Sequence, residues 1–124
     1  MKRGLKISNP NGRKGSGFEI AIMKFLRTLG IFVERLVKAG KNDEGDLVAV
    51  IAGKTYIFEL KNWGKPNLPQ FWREAQVEAQ NYAKARGLDQ TPPAYIILKR
   101  RNAPIEQSWV ICSLEAWLEE KNGS

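Results

Sequence analysis

The sequence predicts a single α/β domain in which a mixed β-sheet is flanked by helices. Its 124 residues are enough for one hydrophobic core and leave no room for a second. Short segments rich in β-branched and aromatic residues are interspersed with longer segments whose apolar residues recur every three or four positions. Together these segments predict the element order α-β-β-β-α-β-β-α.

The composition favours a nucleic-acid partner and excludes several kinds of active site. The 20 Lys and Arg residues against 13 Asp and Glu leave a net charge of +7, which suits a polyanion. Because the chain has no His, it can hold no Ser-His-Asp triad, no His general base and no His-containing metal site. Any catalysis must therefore use carboxylates and amines.

The sequence also predicts where the protein acts. The single cysteine, Cys112, cannot form an internal disulfide, which fits a reducing compartment. No apolar run approaches the roughly 20 residues needed to cross a bilayer, and the basic N-terminus lacks the apolar segment of a signal peptide. We expect a cytoplasmic protein, in a cell or in the host of a virus that encodes it, with no membrane partner and no nucleotide cofactor.

The first 14 residues differ in composition from the rest of the chain. They contain no acid, and their cations are Lys2, Arg3, Lys6, Arg13 and Lys14. This composition predicts a basic flexible arm that contacts phosphate, with a solubilising tail as the alternative. Residues 15–124 are then expected to form the single folded domain.

A helix is predicted from Gly15 to Gly30. The apolar residues spaced for one helix face are Phe18, Ala21, Ile22, Phe25 and Leu29. Ser16 and Glu19 have the spacing of a capping box, in which the glutamate returns a hydrogen bond to the start of the helix.

A strand and then a hairpin are predicted after this helix. Residues 31–36 have the composition of a strand and residues 38–45 that of a polar loop. Two further strand-like runs, 46–51 and 54–61, surround Gly53 and predict a β-hairpin. Because both runs are apolar at most positions, the hairpin should lie in a sheet that is covered on both faces.

The rest of the chain predicts a helix over 68–86, strands over 94–99 and 108–112, and a short helix capped by Ser113. The predicted buried stripe of the long helix is Phe71, Ala75, Ala79, Tyr82 and Ala83. The residues of the last helix that are expected to face the core are Leu114, Trp117 and Leu118. The tryptophans expected in the core or at a dimer interface are Trp72, Trp109 and Trp117.

Three ionisable side chains are predicted to meet on one face of the hairpin. Successive strand residues point to opposite faces, so Glu59 and Lys61 share a face. Asp46 would lie opposite Glu59 if residues 52–53 form a two-residue turn, and opposite Lys61 if residues 52–55 form a four-residue loop. A three-residue loop would send Asp46 to the other face unless a bulge intervened.

These three groups favour a divalent cation. Val48, Val50 and Ile57 form an apolar floor on the same face, where ionised groups are costly unless they are paired or bound to metal. Two carboxylates about 5 Å apart would repel each other by roughly 3 kcal/mol at an effective dielectric constant of about 20. Mg²⁺ or Mn²⁺ would remove that repulsion, and both ions prefer carboxylate oxygens as ligands.

Four short stretches carry a resemblance to a known family: residues 14–19 (KGSGFE), 45–48 (GDLV), 58–61 (FELK) and 74–78 (EAQVE). In this order they resemble the PD-(D/E)XK nuclease superfamily, and within it the archaeal-type Holliday junction resolvases. The resemblance spans roughly residues 13–100, and residues from 108 onward lie outside it. Gly45 stands where the superfamily's name has Pro, and the Ser that the resolvases often carry before the Asp does not occur between Glu34 and Asp46.

The resemblance implies a restriction-endonuclease-like fold and a homodimeric enzyme that cuts four-way DNA junctions with Mg²⁺, or with Mn²⁺ as a substitute. It implies that Asp46 and Glu59 hold the metal together with the backbone carbonyl of Leu60, and that Glu19 completes the site through water. Lys61 would position or deprotonate the attacking water. Two alternatives stay open: a nuclease of the same fold that acts on flaps, ends or duplex DNA, and a catalytically inactive DNA-binding protein.

Branched DNA would be recognised by its shape and through its phosphates. The side chains predicted to contact it are Lys2, Arg3, Arg13, Lys14, Lys41, Lys65, Arg73, Gln76 and Gln80. The two glutamines could instead be plain helix surface. Trp63 could stack on a base or pack on its own domain, and residues 99–101 could contact phosphate or form an ordinary turn.

Overall fold

The structure is a computed structural model that describes residues 10–36 and 45–123, with side chains from residue 17 onward. Its helices are α1 (Pro10–Thr28), α2 (Leu68–Ala85) and α3 (Leu114–Lys121). Its strands are β1 (Phe32–Arg35), β2 (Leu47–Ile51), β3 (Lys54–Lys61), β4 (Ala94–Leu98) and β5 (Trp109–Ile111). A short 3₁₀ turn, Ile105–Gln107, precedes β5. The predicted order of helices and strands is confirmed.

The five strands form one mixed sheet in the order β1-β2-β3-β4-β5. Strands β3 and β4 are parallel, because α2 carries the chain back across the sheet between them, and the other neighbouring pairs are antiparallel. This arrangement is the mixed sheet flanked by helices that the sequence predicts.

A tight turn sets the register of the hairpin formed by β2 and β3. Ile51 pairs with Lys54, so Ala52 and Gly53 alone make the connection. Both turn residues have positive φ, 52° at Ala52 and 79° at Gly53, as a type I′ turn requires. Of the loop lengths considered above, the two-residue turn is the one observed.

Apolar side chains cover both faces of the sheet, as predicted for the hairpin. On one face, α1 packs Phe18 and Ile22 against Leu47 and Phe58. On the other, α2 packs Phe71, Ala75 and Ala79 against a cluster that includes Ile57. We call the second side the α2 face. Glu59 and Lys61 have the same parity along β3 as Ile57, so they lie on the α2 face.

Helix α1 begins earlier than predicted. It starts at Pro10, where the missing N–H of proline is tolerated in the first turn, and not at Gly15. Ser16 therefore lies inside the helix and cannot be its N-cap, so the predicted capping box is wrong. Residues 10–14 are helical, although the prediction placed them in the arm, and residues 1–9 lie outside the described part. Leu29, predicted to be buried, follows the end of the helix and is exposed.

Helix α3 packs with a different face than predicted. Ser113 caps it as expected, since its hydroxyl accepts the N–H of Ala116 at 3.0 Å. The residues that contact the sheet side are Ala116 and Glu120, one helical turn apart. The residues predicted to face the core are therefore turned outward and exposed: Leu114, Trp117 and Leu118.

Of the other aromatic residues predicted to be buried, some lie partly in the core and some lie at the surface. Trp72 is partly buried and packs against both core clusters. Trp109 and Trp117 are each about half exposed, so neither lies in the core of the described chain. Tyr82 is only partly buried, while Glu78 occupies a buried position on the same helix face. Among the helices described, none is sufficiently long and apolar to span a membrane.

Candidate active site

The end of the hairpin brings together Asp46, Glu59 and Lys61. Asp46 directly precedes β2, and its N–H donates to the carbonyl of Phe58 at 3.1 Å. The observed register, extended by one residue from the Leu47–Phe58 pair, sets Asp46 beside Glu59. The Oδ2 atom of Asp46 accepts the N–H of Leu60 at 2.8 Å, which holds its carboxylate at the end of β3.

Gly45 has a local reason to be glycine. Its φ is +103°, and a Cβ atom at this position would lie 2.7 Å from Cγ2 of Ile57. Any side chain would therefore be strained and would clash with the floor of the site. Proline, with φ near −65°, cannot adopt this conformation either.

Glu59 is an acid in an apolar surrounding with few donors. The residue is 7% exposed, and its Oε2 lies 3.3 Å from Nζ of Lys61. Its Oε1 is fully buried and has no hydrogen-bond donor among the described residues. Burial, with the negative charge of Asp46, raises the pKa of Glu59 to about 7, although Glu78 and Lys61 offset part of the effect. Without a cation, the surroundings of this carboxyl group therefore favour its protonated form more than water does.

Lys61 is held as a cation among carboxylates. Its Nζ lies 3.3 Å from Glu59, 3.6 Å from Oε1 of Glu74 and 4.4 Å from the ring centroid of Phe71. Burial alone would lower the pKa of Lys61, but the charges of Glu59, Glu74 and Glu78 outweigh burial and raise it. In this state Lys61 is an ammonium group, suited to orienting water or a phosphate oxygen.

Glu19 reaches the same end of the hairpin from α1. Its Oε1 forms an ion pair with Nε of Arg35 at 2.7 Å. Burial raises the pKa of Glu19, the neighbouring charge and hydrogen bond of Asp46 raise it further, and Arg35 offsets part of the shift. The structure thus joins all four predicted catalytic side chains, and it gives Glu19 a contact with the site in place of the predicted capping role.

Three residues of the site were missed by the sequence analysis: Arg35, Glu74 and Glu78. Glu78 is the most informative of them, because it is buried on α2 and lies close enough to Glu59 and Lys61 to affect the pKa of both. A signal for it existed, since Glu78 lies at helical spacing on the apolar stripe that contains Phe71, Ala75 and Ala79. Charged residues are rarely buried on such a stripe without a function or a partner.

The carboxylates meet in two pairs, Glu19 with Asp46 and Glu59 with Glu78. Two neighbouring carboxylates repel each other unless one of them holds a proton or a cation lies between them, so a divalent cation could relieve that repulsion. Within residues 10–36 and 45–123, no three His, Cys, Asp or Glu side chains are already grouped to bind a metal. The buried Oε1 of Glu59 nevertheless fits a cation, because a carboxylate oxygen without a donor lacks a compensating positive charge.

The structure describes the side chains of only some of the predicted DNA-binding residues. Lys65 and Arg73 are exposed. Gln76 donates from Nε2 to the carbonyl of Ala94 at 3.1 Å, and exposed Gln80 lies on the same side of α2. Ala94 lies two residues along β4 from the partner of Glu59, or about 7 Å, and four residues from the partner of Lys61, or about 13 Å, so Gln76 is anchored away from Lys61. The side chains outside the described part are Lys2, Arg3, Arg13, Lys14 and Lys41; all nine DNA contacts stay predictions.

Comparison with known proteins supports the fold. No protein-family model matches the sequence, and no curated protein matches it. Among solved structures, this chain is similar to Hjc from Archaeoglobus fulgidus, a Holliday junction resolvase from an archaeal hyperthermophile. The TM-score is 0.51 and the sequence identity 18%, over 85% of this chain and 93% of that chain. At this identity the likeness concerns the fold alone: the chain has the same α/β fold as Hjc.

Proposed function

We propose that this protein is a metal-dependent endonuclease that resolves four-way DNA junctions. The observation that carries the proposal is the meeting of Asp46, Glu59 and Lys61 at the end of the β2–β3 hairpin, with Glu19 beside them. Two carboxylates and an ammonium group at one point are the groups that phosphodiester hydrolysis needs when no His is present. The similarity of the fold to a Holliday junction resolvase supports the choice of substrate.

Each residue has a distinct part in the proposed reaction. Asp46, Glu59 and the carbonyl of Leu60 would hold Mg²⁺, and Glu19 would contact it through water. A bound Mg²⁺ would lower the pKa of a coordinated water and stabilise charge on the phosphate. Lys61, an ammonium group 3.3 Å from Glu59, would orient the attacking water and hold a non-bridging phosphate oxygen. Arg35 would keep the Glu19 carboxylate directed at the site through its 2.7 Å ion pair.

The proposal includes a twofold dimer, because paired cuts across a symmetric junction require two active sites. The chain offers an apolar surface for a second copy. Strand β5 is an edge of the described sheet. Exposed apolar residues occur on β5 and on α3, which follows it in the chain: Val110, Leu114, Trp117 and Leu118. Their exposure in the single chain supports this surface as the dimer contact.

The test is incubation of the protein with Mg²⁺ and three labelled DNAs: a four-way junction, a linear duplex and a flap. We expect paired nicks placed symmetrically about the crossover of the junction, and no cutting of the duplex. Omission of Mg²⁺ or addition of EDTA should abolish the nicks, and Mn²⁺ should restore them.

The same experiment distinguishes the two alternatives. Cutting of the flap or the duplex in preference to the junction would identify a nuclease of this fold with another substrate. Binding to all three DNAs without any cutting, in Mg²⁺ and in Mn²⁺, would identify a DNA-binding protein without activity. Either result would overturn the proposed function.

A further inference from the structure

The surface next to the candidate site carries a tryptophan that the proposed function leaves unused. Trp63 is 60% exposed, so its own domain leaves most of its side chain uncovered. It follows Lys61 by two residues, so at most about 7 Å of chain separates their Cα atoms. An indole ring in water at this position loses the hydrophobic gain of burial unless a ligand covers it.

The loop that carries Trp63 is anchored to the sheet and has a cation against it. The N–H of Lys99 donates to the carbonyl of Lys61 at 2.9 Å, which continues the β3–β4 pairing to the base of the loop. At Gly64, a Cβ atom would lie 3.4 Å from Nη2 and 3.7 Å from Cζ of Arg101. The guanidinium group of Arg101 therefore lies against the backbone of the residue next to Trp63.

The charges around the tryptophan are positive. Lys65 lies two residues further along the same loop and is exposed, as is Arg101. Lys99 and Arg101 belong to the turn that leaves β4, beside the end of β3. An exposed ring flanked by cations is the combination that binds a single nucleic-acid strand, since the ring stacks on a base while the cations contact phosphates.

We propose that Trp63 is a stacking platform for an unpaired nucleotide next to the cleaved bond, with Lys65, Lys99 and Arg101 as its phosphate contacts. The inference rests on the proposed function for the identity of the ligand as DNA. A base inside a continuous duplex already has neighbours on both faces and cannot cover the indole, whereas a base at a branch point or bulge can. The platform therefore selects DNA with unstacked bases, in addition to any recognition of shape.

The test measures binding without cleavage. Two labelled DNAs of one sequence are titrated with the full chain in EDTA and followed by fluorescence anisotropy: a paired duplex, and the same duplex with a bulge of unpaired thymines. We expect wild type to prefer the bulged DNA. Trp63→Ala should weaken binding of the bulged DNA about tenfold and leave binding of the paired duplex nearly unchanged, while Trp63→Phe retains most of the preference.

Phe32→Ala is the matched control, because Phe32 is an aromatic residue of similar exposure, 56%, on the edge strand β1. It should bind both DNAs as wild type does. The proposal is overturned if wild type shows no preference for the bulge, if Trp63→Ala matches wild type, or if it weakens binding of both DNAs equally. Because the binding test contains no metal, its result does not depend on cleavage. Loss of the preference for bulged DNA in Trp63→Ala would support the platform even if the protein cuts no junction. If the protein cuts junctions but Trp63→Ala binds bulged DNA as wild type does, the platform is overturned and the nuclease proposal is unaffected.

Discussion

Two glutamates on opposite faces of the same sheet have opposite surroundings. Glu120 of α3 accepts hydrogen bonds from the hydroxyl groups of Tyr56 and Tyr95 and from Nζ of Lys54. The hydrogen bond from Tyr56 is the main cause that lowers the pKa of Glu120. Glu59 has Lys61 as its close cation, retains a buried oxygen without a donor, and has a pKa raised to about 7.

Strand β3 contributes side chains to the surroundings of both glutamates, because successive residues of a strand point to opposite faces of the sheet. Lys54 and Tyr56 point to the α1 side and satisfy Glu120, while Glu59 and Lys61 point to the α2 face. A carboxylate whose oxygens all have donors stabilises the fold and needs nothing further. A buried carboxylate without enough donors costs stability, and such a cost is typical of a site that awaits a cation or a substrate. The comparison therefore assigns a structural role to Glu120 and supports the chemical role proposed for Glu59.

The largest difference between the two faces should appear in the rate of junction cleavage when the lysine of each face is replaced by alanine. Lys61→Ala should reduce junction cleavage by about 10²- to 10⁴-fold, the range for removal of a group that assists proton transfer or orients water, and should leave junction affinity almost intact. Asp46→Asn should act in the same way. Cleavage rates in single-turnover conditions and anisotropy in EDTA measure the two quantities separately.

Lys54→Ala is the matched control for Lys61→Ala, because it removes a lysine that is paired with an acid at 3.1 Å on the other face. It should cleave at close to the wild-type rate. A parallel loss of binding and cleavage in Lys61→Ala, or an equal loss of cleavage in Lys54→Ala, would contradict the assignment of the two faces.

A smaller effect should appear in the pH dependence of stability. Because the folded protein raises the pKa of Glu59 from 4.5 to about 7, it holds that proton more tightly than the unfolded chain does. The free energy of unfolding of the metal-free protein should therefore fall as pH rises from about 4.5 to about 7, by up to about 3 kcal/mol from this group. Glu59→Gln, measured by urea unfolding in EDTA, should remove that part of the slope.

Wild type and Glu59→Gln with the same slope between these pH values would show that Glu59 is not destabilised by its site. The raised pKa of Glu19 acts in the same direction, so a shallower slope is expected to remain in the variant. Addition of Mn²⁺ at neutral pH should stabilise wild type and should stabilise the variant much less.

The smallest effect is expected at Glu120. Glu120→Ala removes the acceptor of Tyr56, Tyr95 and Lys54 and should lower the free energy of unfolding by about 2 kcal/mol at neutral pH. Since the folded state lowers the pKa of Glu120, the stability it contributes is present above the usual pKa of a glutamate and is lost on acidification. The variant should therefore approach wild type at low pH, and its cleavage rate at neutral pH should be unchanged. A loss of cleavage without a loss of stability would remove the structural role of Glu120.

Much of the fold and the centre of the site follow from the sequence alone. The alternation in β3 placed Glu59 and Lys61 on one face, and the turn at Ala52 and Gly53 admitted a register that sets Asp46 beside them. These predictions succeed because strand periodicity and hairpin turns are local properties that few neighbouring residues decide. Ser113 as a helix cap succeeds for the same reason.

Only the tertiary structure decided which helix residues complete the site and which face the last helix buries. Glu78 belongs to the site only because α2 packs on β3 and places it beside Glu59. Leu114 and Trp117 have the spacing of core residues, but α3 instead directs Glu120 toward Tyr56 and Tyr95. A helix can place any of several stripes inward, and the choice depends on partners far away in the sequence. The pattern of residues thus determined the strands, the turn and the acid–lysine pair, while packing across the sheet determined that the oxygens of Glu120 have donors and that one buried oxygen of Glu59 has none.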